Sequence, residues 1–205
     1  MCGTARETAS ALFLEQRIYS LFIDITRLKY DKNVIFTSLQ DFCRSTKMAM
    51  PSSADVLTPA KNLRDGCTIV KIVRGQPRYI VLYNTDQRNP RRRAFTLAHE
   101  IGHIYLGHQD DRAENETQAN HFASELLMPE CLLREYVAMN GNKASSPELC
   151  QIFNISLAAA SLRLRAVIHR AAAHSESLIQ NDYDAAIIRK FSGLLPLPEG
   201  PIVTI

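Results

Sequence analysis

The 205-residue sequence has no C-x-x-C pair, no internal repeat, no low-complexity tract and no strong excess of either charge. Its five cysteines, Cys2, Cys43, Cys67, Cys131 and Cys150, are odd in number and widely separated. That pattern argues against a disulfide framework and against an all-cysteine metal knot; it reads as reduced thiols buried as small apolar residues. No apolar run is long enough for a membrane, because Glu15, Arg17, Asp24 and Arg27 interrupt the stretch Ala11–Leu28. Residues 1–10 are polar and lack the apolar centre of a secretory leader. A cytoplasmic protein with no membrane partner is the expectation. With 24 Lys and Arg against 21 Asp and Glu, the net charge of +3 is too small to imply a nucleic-acid partner, and none is expected.

What is present is enough for a folded core. Hydrophobic residues make up 46% of the chain and charged residues 22%, so wholesale disorder is excluded. Ala11, Leu14, Ile18, Leu21, Phe22, Ile25 and Leu28 recur at helical spacing and predict a helix from about Thr8 to Tyr30. A shorter helix is expected over Leu39–Lys47, capped by Thr37 or Ser38. Residues 51–66, with Pro51, Pro59 and Asp65-Gly66, read as irregular. "CTIVKIV" and "RYIVLYN" then predict an antiparallel hairpin, with Gly75-Gln76-Pro77 between the strands. "NTDQRNPRRR" reads as a polar loop.

The remainder is helical in pattern. Helices are expected over Ala94–Leu106, stopped by Gly107, and over Asn115–Met128. Another begins near Pro129 and ends at Gly141. Ser146-Pro147-Glu148 and Ser156 open two more, and Tyr183–Phe191 forms the last. The fold class is therefore α+β, mostly helical, with a small antiparallel sheet before the helix at residues 94–106. Residues 1–205 read as a single domain, with 142–205 as a helical C-terminal appendage.

The stretch "FTLAHEIGHIYLGH" carries the chemistry. Four residues advance a helix by about 6 Å and about 40° of net rotation. His99 and His103 thus stack on one face and can direct an imidazole nitrogen each at one ion, while Glu100 lies about 100° further round, beside them. H-E-x-x-H of this kind suits a metal held by two histidines with the glutamate as general base. A catalytic site needs a third protein ligand. In "ENETQANHFASELLMP", Glu116 and Asn120 share a face, with the small Ala119 and Ala123 beside them. Glu116 reads equally as a third ligand and as a solvated carboxylate favoured by the helix dipole. His108, five residues after His103, is a rival ligand, read here as a helix-end residue without a companion to orient it. Tyr105, His121 and Tyr136 are three candidates for stabilising an oxyanion. Arg88, Arg91, Arg92 and Arg93 read as a solvated cluster leading into the helix.

"RRRAFTLAHEIGHIYLGH" followed by "ETQANHFASELLMP" resembles the ImmA/IrrE family of metallo-endopeptidases. That family pairs an R-x-F-T-x-A-H-E-x-G-H helix with E-x-x-A-[ND]-x-F-A-x-x-L-L-M-P. "YIVLYN" and "LCQIFNISLAAASLRLRAV" extend the likeness more weakly. Ala94, between the arginines and Phe95, and His121 are small departures. The resemblance implies a zincin-like fold, His99, His103 and Glu116 as metal ligands and Glu100 as the base. It implies zinc as cofactor, with manganese as the second choice, and a helix-turn-helix repressor as the substrate to be cleaved. A second reading is a non-proteolytic, toxin-like partner of such a regulator with a structural metal.

Overall fold

The computed structural model describes residues 4–16, 19–46, 65–110, 112–173 and 181–196. Among these are three strands and eight α-helices: α1 (Ala5–Leu14), β1 (Val34–Ser38), α2 (Leu39–Thr46), β2 (Gly66–Val73), β3 (Gln76–Tyr83), α3 (Pro90–Leu106), α4 (Ala113–Leu127), α5 (Glu130–Asn140), α6 (Ser146–Phe153), α7 (Leu157–Ala173) and α8 (Asp182–Phe191). The architecture is α+β as expected. The irregular segment expected over 51–66 and the extended tail after Pro196 lie almost wholly outside the described residues.

The first helix is shorter than its pattern. Thr4 and Glu7 form a reciprocal cap, each side chain accepting from the other's backbone N–H at 3.2 and 3.0 Å. The helix ends at Leu14 rather than running to Tyr30. Beyond it, Leu21, Ile23 and Ile25 are buried while Tyr19 and Phe22 are exposed. Burial at every second residue belongs to extended chain, and Leu21, Ile25 and Leu28, three of the apolar residues that mimic a helical stripe, line the core from a loop. Asp24 accepts from the Thr26 N–H and caps a single 3₁₀ turn, Ile25–Arg27.

The sheet is mixed, not antiparallel. Its order is β1-β3-β2. β2 and β3 form the expected antiparallel hairpin, but β1 adds to the far side of β3 in parallel, from Val34 opposite Tyr79 to Ser38 opposite Tyr83. The hairpin turn is Arg74-Gly75, both at positive φ (52° and 77°), and Pro77 falls within β3 opposite Ile72. A two-residue turn of that hand matches the right-handed twist of the strands, which a three-residue Gly-Gln-Pro loop would not need. Ser38 caps α2 by accepting from the Asp41 N–H at 3.0 Å.

The helix α3 begins four residues before the expected start. Asn89 accepts from the N–H groups of Arg91 and Arg92, and Pro90 occupies the first turn, where its missing N–H costs nothing. Arg91, Arg92 and Arg93, expected in a loop, are therefore helical, while Arg88 stays in the loop before the cap. Arg91 donates to Asn154 at 3.2 Å and Arg92 pairs with Asp65 at 2.5 Å. Gly107, at φ 72°, ends the helix as predicted. Helices α4 to α8 follow the expected order within a few residues. Cys43, Cys131 and Cys150 are buried free thiols, and Cys67 is a half-buried one. No single helix among the described residues is long and apolar enough to cross a membrane.

One apolar cluster runs through Phe13 of α1, Ile101 of α3, Phe122 and Leu126 of α4, Tyr136 of α5, Phe153 of α6 and Phe191 of α8. Charges are threaded into it. Glu125 and Asp184 are fully buried. Arg6 donates to both Asp184 oxygens at 3.1 and 2.9 Å and lies 3.7 Å from Glu125. Arg163 donates to the other Glu125 oxygen at 2.9 Å and to the Met128 carbonyl at 2.7 Å. Removing one member of such a set leaves an uncompensated buried charge. Arg6→Ala is expected to cost about 3–5 kcal/mol, lowering the melting temperature by roughly 10 °C. Thermal denaturation followed by circular dichroism checks it; a midpoint within about 1 °C of wild type would refute the stabilising role.

Candidate metal centre

Helical spacing on α3 stacks His99 over His103, and their Nε2 atoms come to 2.9 Å from one another. Glu116, on α4, reaches the same point. Its Oε2 is 3.3 Å from His99 Nε2 and its Oε1 is 3.3 Å from His103 Nε2. These three side chains form a group able to hold a metal ion. Atoms bound tetrahedrally at 2.0–2.1 Å lie about 3.3 Å apart, which is close to the three separations found. Glu116 Oε1 is also buried without a hydrogen bond among the described residues. A buried acceptor of that kind costs roughly 1–3 kcal/mol, and a cation shared with the two imidazoles would satisfy it. Hard carboxylate and borderline imidazole donors together suit a divalent ion such as zinc.

The two helices meet closely because the residues between them are small. A Cβ on Gly102 would lie 3.0 Å from Phe122 Cδ1 and 3.3 Å from Ala119 Cα. The sequence placed this glycine between the histidines; its space is taken up by α4. Asn120, one turn after Glu116, has its Oδ1 3.0 Å from His99 Nδ1. A carbonyl oxygen can only accept, so the proton is on Nδ1 and the Nε2 lone pair faces Glu116.

Glu100 lies outside this group. It is 9% exposed, and its Oε2 accepts from Thr68 Oγ1 at 2.7 Å. Thr68 belongs to β2, so the sheet holds the carboxylate from the side opposite α4. Nothing in the sequence pointed to Thr68, because the pairing spans 32 residues. Next to Thr68, burial and then the Glu100 charge push the Cys67 thiol up to about 11. Cys67 therefore stays protonated near neutral pH, and thiolate chemistry has no support here.

His108 is not the unaccompanied residue expected of it. The left-handed turn at Gly107 brings it back over His103, with Nδ1 3.1 Å from His103 Nδ1 and Nε2 3.2 Å from Gln118 Oε1. Of the three oxyanion candidates, Tyr105 lies on the opposite face of α3 and donates to Asp31 at 2.6 Å. The Tyr136 hydroxyl is bound to Glu148 and to the Ser145 N–H. His121 is exposed, one residue beyond Asn120. The structure brings none of them into the group formed by His99, His103 and Glu116. Beside the group is a mainly apolar pocket of about 370 Å³, whose walls include Phe95, one turn before His99, and Ser124, one turn after Asn120. Leu127, Met128 and Ile155 also line it, together with Arg91, Arg92 and Arg163.

A family model described as IrrE N-terminal-like domain, of a peptidase family, matches residues 60–165. The match takes in β2, β3, α3 to α6 and the first half of α7, and with them His99, Glu100, His103 and Glu116. No curated protein and no solved structure gives a significant match. With the matched segment covering just over half of the 205 residues, and a donor set fit for a metal at its centre, the chain belongs to the IrrE N-terminal-like peptidase family.

Proposed function

We infer that this peptidase is a zinc-dependent endopeptidase of the cytoplasm that cleaves a regulatory protein, a helix-turn-helix repressor being the substrate implied by the family resemblance. The observation that carries the catalytic reading is the separation of roles on α3. His99 and His103 converge with Glu116, and Glu100 stands apart, held by Thr68. His99, His103 and Glu116 would hold the ion. Zinc bound there supplies Lewis acidity, which lowers the pKa of water from 15.7 to about 7 and polarises a carbonyl.

The chain's own residues supply the proton traffic. Glu100 accepts the proton of the attacking water and later returns it to the leaving amine. Thr68 donates to one oxygen of that carboxylate and so holds it against the sheet. Asn120 keeps His99 in the tautomer that offers Nε2. The pocket between Phe95 and Ser124 would take an apolar side chain of the bound substrate.

Two variants and one co-expression test this reading. Glu100→Gln should keep the fold and the metal, and should lower cleavage by a factor of about 10²–10⁴, because an amide cannot accept the proton. Cleavage by Glu100→Gln at the wild-type rate would end the general-base assignment. Glu116→Ala should lose most bound zinc on metal analysis, while His108→Ala stays near one ion per chain at saturating zinc. The reverse result would overturn the ligand set. Co-expression with a helix-turn-helix repressor encoded beside the gene should give defined fragments that vanish with Glu100→Gln. A stoichiometric complex without fragments would instead favour the non-proteolytic partner with a structural metal.

A further inference from the structure

His103 and His108 face each other through like atoms, Nδ1 to Nδ1, at 3.1 Å. With no ion to sit between them, two ring nitrogens at that distance need one proton, so one must donate and the other accept; the Nε2 atoms of His99 and His103 differ in that an ion would take the place of that proton. Gln118 decides which. Its Oε1 lies 3.2 Å from His108 Nε2 and can only accept. His108 therefore carries its proton on Nε2, and its Nδ1 offers a lone pair to His103. His103 in turn carries its proton on Nδ1, which leaves its Nε2 lone pair directed at the point it shares with His99 Nε2 and Glu116 Oε1. The opposite direction would put a proton on His103 Nε2, at the place where an ion has to bind.

We propose that His108 and Gln118 form a relay that fixes the tautomer and ring orientation of His103, making His108 a positioning residue of the metal centre and not one of its ligands. The proposal rests on the metal-site reading above. The backbone is built for it. Gly107 at φ 72° turns the chain back at the end of α3, and the His108 N–H donates to the His103 carbonyl at 3.0 Å. The two rings stand edge to face with centroids 5.0 Å apart. Helix α4 thus addresses both metal-facing histidines from alternate residues. Asn120 reaches His99 directly, Gln118 reaches His103 through His108, and Glu116 lies before both.

Zinc affinity and zinc release measured by chelator competition test the relay on the full chain, with circular dichroism to establish that each variant is folded. His108→Ala should weaken zinc binding by about 10–100-fold, the cost typical of removing an orienting partner. His108→Asn should recover most of that loss, because its amide oxygen can accept where Nδ1 did. Gln118→Ala should weaken binding less than His108→Ala, and the double variant should be no worse than His108→Ala alone, since Gln118 acts through His108. Affinities of His108→Ala and Gln118→Ala within about twofold of wild type would overturn the proposal. So would a loss in His108→Ala as complete as in His103→Ala, with no recovery in His108→Asn, which would make His108 a ligand. If Glu116→Ala and His103→Ala bind zinc as tightly as wild type, the metal site itself is misassigned and the relay falls with it.

Discussion

Everything at the candidate centre depends on how closely α3 and α4 approach at Gly102. A methyl group there would press on Phe122 and on the backbone of Ala119, so even alanine would push the helices apart by a few tenths of an ångström. Ala119 and Ala123 are fully buried on the facing side. A glycine inside a helix costs about 1 kcal/mol against alanine, and the contact it permits places a carboxylate of one helix within 3.3 Å of two imidazoles of the other. A metal-binding geometry tolerates little error in distance, so rigid helices in direct contact suit it better than loops.

The other side of α3 follows the same logic against the sheet. A Cβ on Gly66 would lie 2.7 Å from Thr96 Cγ2 and 2.8 Å from the Leu82 carbonyl oxygen, so only glycine lets α3 lie against β2 at that point. Two residues along the strand, Thr68 reaches Glu100. The helix is thereby clamped between two glycine contacts, one facing the metal-binding carboxylate and one facing the support of the base. The two functions of H-E-x-x-H are separated in space because its neighbours on the two sides are different elements.

The parts readable from the sequence were those fixed within one helix or by a helix end. His99, Glu100 and His103 needed only helical spacing, and Gly107, Ser38 and Ser156 marked helix ends through local chemistry. The pairing of β1 with β3 was not readable, because Val34 and Tyr79 are 45 residues apart and nothing near either names the other. The segment after Leu14 misled because apolar residues in a buried loop fell at helical intervals by coincidence. Asn89 outweighed the arginine run by capping α3 early. His108 was misjudged for a related reason: a single left-handed residue sets its direction, and Gln118, its partner, is ten residues away on another helix.

The buried ions bear on where this protein can be divided. The segment shared with the family ends at residue 165 and begins at 60. Glu125 lies within it, but Arg6 lies before it and Asp184 after it. Glu130, also inside, pairs with Arg134 at 2.8 Å and with Arg170, beyond the limit, at 2.8 Å. A fragment trimmed to the matched residues would bare the face of α4 that α1 covers and the face of α5 that α8 covers, removing Phe13 and Phe191 from the core. It would also leave Glu125 and Glu130 each short of a cation in a region where charge is expensive. The limits of recognisable kinship and the limits of a self-sufficient folding unit are therefore different lines on this chain, and the flanking helices belong to the peptidase as counter-charges as much as by packing.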